Sequence, residues 1–154
     1  MVVVGVQANK RLFWFAVCLL VLNVIATLVA IAVNWPSQFG QVGTDADKEF
    51  LAKGTAISAP LAPVVCLIVV VLLARRENAW GWVAVVAAYA TAAMFSIGGV
   101  GEFVGEPTVD TPKAVLVVAA VAWLVVAVLL ALAATSAAVE RIRRRRQVGS
   151  AAVS

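Results

Sequence analysis

The chain has 154 residues, of which 64% are hydrophobic and only 13% are charged. Soluble proteins are about half apolar and about a quarter charged, and a soluble core of this size cannot bury so much apolar surface. The composition therefore excludes an ordinary soluble domain and predicts a single integral membrane domain.

Residues 12–33 form the first apolar stretch, which contains neither a charge nor a proline. As a helix it would extend about 33 Å, which matches the hydrocarbon thickness of a bilayer. The preceding Lys10 and Arg11, with small residues near position 30, also fit a signal peptide. The apolar run is too long for a typical signal peptide, so we expect an uncleaved membrane helix.

Asn23, near the middle of this stretch, and Thr27, one turn later, are its polar residues. One interpretation is a hydrogen bond between helices, worth about 0.6–2 kcal/mol. The other is contact with a ligand or ion in a polar cavity. Tyr89 and Thr91, in the middle of the third apolar stretch, are the expected partners of Asn23.

Residues 34–54 form the longest predicted loop. Thr44 is expected to cap a short helix at residues 45–53, which Gly54 would close. The acidic start of this helix resembles a calcium loop only superficially, because Phe50 stands where an EF-hand needs glycine. We predict no calcium site here.

The second apolar stretch, residues 55–74, contains Pro60 and Pro63. Proline is tolerated in the first helical turn but kinks a helix interior. Either this helix is kinked, or it begins near Pro60 and is only about 22 Å long. In the second case its outer part is irregular and must be shielded by protein.

The third apolar stretch, residues 79–98, carries a stripe of small residues at every fourth position. Such a stripe permits close contact with another helix. Its members are Ala84, Ala88, Ala92 and Ser96.

Residues 98–112 are rich in glycine, but their spacing does not match the dinucleotide-binding fingerprint. We expect a flexible, solvated connector that carries the acidic residues Glu102, Glu106 and Asp110.

The fourth apolar stretch spans residues 114–139, and we expect a disordered tail over residues 141–154. The tail begins with a run of arginines that can anchor the topology and contact anionic lipid headgroups. These are Arg141, Arg143, Arg144, Arg145 and Arg146. No aromatic residues and no folded surface that could contact bases accompany the run, so we expect no nucleic-acid partner.

The charges predict an orientation in the membrane. With four spans, one side carries nine basic and two acidic residues, and the other three basic and six acidic residues. The net charges are +7 and −3, which account for the total of +4. The positive-inside rule then places both termini in the cytoplasm. We therefore predict an all-α, up-down four-helix bundle (residues 1–140) in the plasma membrane.

Little catalytic chemistry is available in this sequence. The chain has no histidine, and its two cysteines, Cys18 and Cys66, lie singly in different apolar stretches. This excludes the membrane thiol oxidases that need paired cysteines. The four apolar stretches also lack the charged residue on which proton-coupled carriers usually depend. We predict no metal, no cofactor and no catalytic residue.

Three functional hypotheses follow. The first is a non-catalytic structural or accessory subunit, which packs with itself or with a larger membrane partner through its small-residue stripe. The second is a passive binder or carrier of an apolar molecule or lipid, which opens to the extracytoplasmic side near the two prolines. The third, ranked last, is a cell-envelope enzyme that uses the outer carboxylates.

Overall fold

The computed structural model describes residues 5–37, 46–104 and 111–151. Within these ranges the chain is helical, and no residue belongs to a β-strand. The helices are α1 (Gly5–Ala32), α2 (Ala46–Glu49), α3 (Leu61–Leu73), α4 (Trp80–Val104) and α5 (Lys113–Ala151). By length and composition, α1, α4 and α5 could each cross a membrane. The predicted all-α class is confirmed.

Helix α1 begins at Gly5, so it includes Lys10 and Arg11, which we expected to precede the helix. It ends in a Schellman motif, in which Asn34 adopts φ 50. The Trp35 N–H donates to the Ala30 carbonyl (2.8 Å), and the Asn34 N–H donates to the Ile31 carbonyl (3.2 Å). This motif satisfies carbonyls that the end of a helix would otherwise leave free, and it turns the chain sharply into the loop.

Helix α3 begins at Leu61, directly after Pro60, and Pro63 lies in its first turn. The prolines therefore mark the start of the helix and do not kink it, because the first turn needs no N–H donor. The predicted helix at 55–74 was wrong over its first six residues. The 13 residues of α3 extend only about 20 Å.

Helices α4 and α5 are both longer than predicted. Helix α4 continues past residue 98 to Val104, so Glu102 is helical. The 39 residues of α5 extend about 58 Å and include the arginine run, where we expected disorder. Arginine and glutamine are good helix formers, and Arg144 pairs with Glu140 one turn earlier (3.2 Å).

Apart from short helix α2, which contacts α1, each helix packs against two others within the described residues. Helix α4 contacts α3 and α5, and α1 also contacts α3 and α5, while α1 and α4 make no contact within the described residues. The stripe residues Ala84, Ala88 and Ala92 are buried in the core. At Gly99, a Cβ atom would lie 3.0 Å from the carbonyl oxygen of Ala120, so α4 and α5 approach closely there.

The basic segments of the sequence meet at one end of the long helices, here called the basic end. The guanidinium of Arg75 lies 3.9 Å from the centre of the Phe13 ring. Arg144 forms an ion pair with Glu77 (2.9 Å). These contacts join α1, the α3–α4 turn and α5. The opposite end, here called the loop end, contains α2, the described residues 33–37 and 50–60 on either side of it, and residues 111–112 before α5.

Candidate functional site at the loop end

Irregular backbone between α2 and α3 folds back among the helices. Residues 54–59 are almost entirely buried, and buried backbone groups need hydrogen-bond partners. The Thr55 N–H donates to the Ser58 carbonyl (3.0 Å), and the Ala56 N–H donates to the Trp35 carbonyl (3.1 Å). Gly54 begins the segment at φ +79, a conformation that favours glycine. This segment is the shielded, irregular alternative that the two prolines suggested.

Short helix α2 differs in part from its prediction. Its first N–H, on Ala46, donates a hydrogen bond to Asn34 Oδ1 (3.1 Å). The helix ends at Glu49, and turns continue to Gly54. The predicted cap Thr44 lies outside the described residues.

Asn23 holds this irregular segment from the side of α1. Its Oδ1 accepts a hydrogen bond from the Ala59 N–H at 2.7 Å, and the residue is 9% exposed. The Thr27 hydroxyl donates to the backbone carbonyl of Asn23 (2.8 Å), so it stays within its own helix. The amide of Asn23 therefore joins α1 to the backbone that leads into α3.

The expected pairing of Asn23 with α4 does not form. The Tyr89 hydroxyl is hydrogen-bonded to Thr135 Oγ1 on α5 (2.7 Å). The Thr91 hydroxyl donates to the carbonyl of Ala87 in the preceding turn (2.8 Å). The prediction assumed that α1 and α4 are neighbours, whereas in the described part of the chain they lie diagonally opposite each other and make no contact.

Glu102 is buried at the loop end, contrary to the prediction of a solvated connector. It is 4% exposed and accepts a hydrogen bond of 2.6 Å from the Ser37 hydroxyl. A carboxylate is costly to bury without such a partner. Glu106 and Asp110, the other two acidic residues of the expected connector, lie outside the described residues.

A cavity of about 210 Å³, here called the polar cavity, adjoins this pair. Thr55, Ser58 and Lys53 also line it, as does the first turn of α3. The hydroxyls of Thr55 and Ser58 are hydrogen-bonded to each other (2.7 Å). The N-terminus of a helix carries partial positive charge. The cavity therefore contains hydroxyl groups, the acidic side chain of Glu102, and positive charge from Lys53 and the start of α3.

A larger groove of about 690 Å³, here called the apolar groove, runs between α1 and α5. Its walls are mainly aliphatic side chains, and Asn23 supplies a polar atom. Phe95 and Trp123 line both the groove and the polar cavity. Their ring centres lie 4.7 Å apart. The two spaces thus share one aromatic wall.

The sequence did not single out Ser37, Thr55 or Ser58 as site residues. The available signal was the shortness of the helix after Pro60, which requires the preceding residues to fold back. Nothing in the sequence indicated which hydroxyls would meet Glu102, because that contact joins residues 65 positions apart.

At the basic end, the arginines divide between two environments. Arg143, Arg145 and Arg146 are exposed, and Arg144 is half-buried. Arg141 is buried, and its Nη2 donates to the Ala74 carbonyl at the end of α3 (2.9 Å). A Cβ added at Gly81 would collide with this guanidinium. Arg141, one of the arginines that we expected to contact lipid, therefore also fastens α5 to the α3–α4 turn through this hydrogen bond.

Within the described ranges, no three acidic, cysteine or histidine side chains lie close enough together to hold a metal ion. Cys18 and Cys66 are free thiols. In comparisons with known proteins, no family model matches this chain, and neither a curated protein nor a solved structure is significantly similar to it.

Proposed function

We propose that this protein is a multi-pass membrane protein that binds an amphipathic, lipid-like molecule without catalysing a reaction. The polar end of the ligand occupies the polar cavity beside Glu102 and Ser37, and its apolar chain lies in the groove between α1 and α5. The observation that carries this proposal is the aromatic wall of Phe95 and Trp123, which the two spaces share.

The membrane arrangement is part of the proposal. Four helices run up and down through the plasma membrane, with α3 and the segment before it acting together as one span. The gathering of the basic segments at one end supports cytoplasmic termini, because an excess of Lys and Arg marks the cytoplasmic side. The polar cavity then opens toward the outer side.

The size and lining of the two spaces suit such a ligand. Small-molecule sites are commonly about 300–1,000 Å³, mostly apolar, with a few placed polar groups. The apolar groove is about 690 Å³, and the adjoining cavity supplies Glu102, Ser37 and Lys53. A broken helix whose N-terminus faces a cavity is also a common way to build a binding site within a membrane.

The accessory-subunit hypothesis loses one of its two supports. It rested on the small-residue stripe and on the absence of catalytic chemistry, but Ala84, Ala88 and Ala92 are buried against neighbouring helices of the same chain. We also assign Glu102 a binding role and not a catalytic one, because its carboxylate holds the Ser37 hydroxyl and the chain has no histidine to relay a proton.

Two valines on α5 provide a matched test. Val118 lines the apolar groove and Val121 does not, although both are exposed. We expect Val118→Trp to obstruct the groove and Val121→Trp to leave it open. Native mass spectrometry after extraction from membranes should find a bound lipid-like molecule in the wild type and in Val121→Trp, and little of it in Val118→Trp.

Two results would contradict the proposal. One is retention of the same molecule by both variants at wild-type occupancy. The other is a wild-type protein that carries no such molecule and purifies with a stoichiometric protein partner, which would favour the accessory-subunit hypothesis. If the first test succeeds, Glu102→Gln should weaken retention while the apolar groove remains intact.

A further inference from the structure

Another cavity, of about 610 Å³, lies at the basic end, opposite the loop-end site described above. Asn9 on α1, Trp82 on α4 and the arginine run on α5 contribute to its wall. Three arginines and one glutamate line it, namely Arg141, Arg144, Arg145 and Glu77. Its charge therefore favours an anion.

Two side chains in this wall are buried and incompletely paired. Arg141 is 6% exposed, and its Nε has no hydrogen-bond partner, although Nη2 is bound to Ala74. Asn9 is 8% exposed, and its Oδ1 has no partner. Unpaired buried polar atoms are costly. One lacks an acceptor and the other lacks a donor, so a ligand that offers both would satisfy them.

The neighbouring contacts hold the other arginines in place. Arg144 is bound by Glu77 (2.9 Å) and by Glu140 (3.2 Å). The guanidinium of Arg145 lies 5.9 Å from the centre of the Trp82 ring. The charge of Arg144 is therefore largely balanced, and Arg141 and Arg145 remain to meet an anion.

We propose that this cavity binds a phosphodiester that also carries a hydroxyl group, such as the headgroup of phosphatidylglycerol. A planar guanidinium group can donate two parallel hydrogen bonds to phosphate oxygens. The phosphate is therefore placed between Arg141 and Arg145. The headgroup hydroxyl donates to Asn9 Oδ1. Basic pockets between membrane helices at the cytoplasmic surface are suited to anionic headgroups. The proposal concerns a site separate from the loop-end site and does not depend on it.

The arginine run contains its own controls. Arg143, Arg145 and Arg146 have the same charge and are all exposed, but of these three only Arg145 lines the cavity. Dioleoyl phosphatidylglycerol would be titrated into the detergent-purified full chain, and binding followed by native mass spectrometry. Arg145→Gln should weaken binding by about tenfold, as expected for the loss of one charged hydrogen bond. Arg143→Gln and Arg146→Gln should weaken it by much less. Equal weakening by all three would indicate a diffuse basic surface and overturn the proposal.

Substituting Asn9 tests the proposed contact with the headgroup hydroxyl without changing any charge. Dioleoyl phosphatidylethanol has the same phosphodiester but no headgroup hydroxyl. The wild type should prefer phosphatidylglycerol, and Asn9→Leu should bind the two lipids equally. The melting temperature without lipid shows whether Asn9→Leu is folded. If this variant is unfolded, the comparison of the two lipids on the wild type still tests the hydroxyl contact. Equal wild-type affinity for the two lipids would overturn the proposed hydroxyl contact.

The source of the phosphodiester can also be distinguished. Soluble glycerophosphoglycerol carries the same headgroup without acyl chains. If the ligand is a lipid, this compound should compete only weakly with phosphatidylglycerol. If it binds as tightly as the lipid and shows the same dependence on Arg145, the site takes a soluble phosphodiester and the assignment to a membrane lipid is wrong.

Discussion

Replacing Asn23 with leucine tests how the irregular segment is held in place. The substitution removes the acceptor of the Ala59 N–H, which is now hydrogen-bonded at 2.7 Å. Asn23 and Ala59 are each only 9% exposed, so the N–H that loses its acceptor is largely shielded from water. An unsatisfied buried donor costs about 1–3 kcal/mol. Leucine has a similar size and fits an apolar environment, so we expect the variant to fold but to be less stable by this amount.

Hydrogen exchange at Ala59 is the most direct assay of this change. A local loss of about 1–3 kcal/mol corresponds to exchange that is about 5 to 150 times faster. The melting temperature in detergent should fall in parallel. Thr27→Val is the control, because the Thr27 hydroxyl bonds only to a carbonyl of its own helix. We expect that control to change stability by less than about 0.5 kcal/mol. Wild-type exchange at Ala59 in Asn23→Leu would refute the assigned hydrogen bond.

Three further substitutions probe backbone geometry and packing, each measured by thermal unfolding in detergent. Gly99→Ala should be less stable than Gly98→Ala by about 1–3 kcal/mol, because a Cβ at Gly99 meets α5 while one at Gly98 meets nothing within 4 Å; equal stability would contradict the close helix contact. Gly54→Ala should cost at least about 1–2 kcal/mol, since φ is +79 and an ordinary side chain disfavours that region. Ala92→Leu should cost about 1–3 kcal/mol by overpacking the core, whereas Ala93→Leu, at an exposed position, should be nearly neutral.

The sequence identified the helical stretches because apolar runs and prolines act locally. Pro60 and Pro63 limited the start of α3 to two alternatives, and the structure contains the shorter helix. The exact residues at which the helices end were harder to predict from the sequence. Glycines at positions 98 and 99 suggested the end of α4, but close packing on α5 accommodates Gly99 within the helix, and α4 continues to Val104.

The candidate site could not be derived from the sequence because it depends on which helices are neighbours. Asn23 was correctly recognised as a buried polar residue that needs a partner, yet that partner is a backbone N–H of the irregular segment. Glu102 was assigned to a solvated loop because charge and glycine content predict exposure. Its burial depends on a distant serine, Ser37, and no local pattern contains that information.

The continuity of α5 through the arginine run makes the order of its residues as important as their charge. Successive residues of a helix are rotated by about 100°, so Arg141 and Arg145 lie near one face while Arg143 points elsewhere. Inserting a single alanine after Glu140 would leave the net charge unchanged but turn the whole run around the helix axis. The inserted alanine would then occupy the position that faces Ala74, and α5 would lose its hydrogen bond to the end of α3 while the composition remained almost the same.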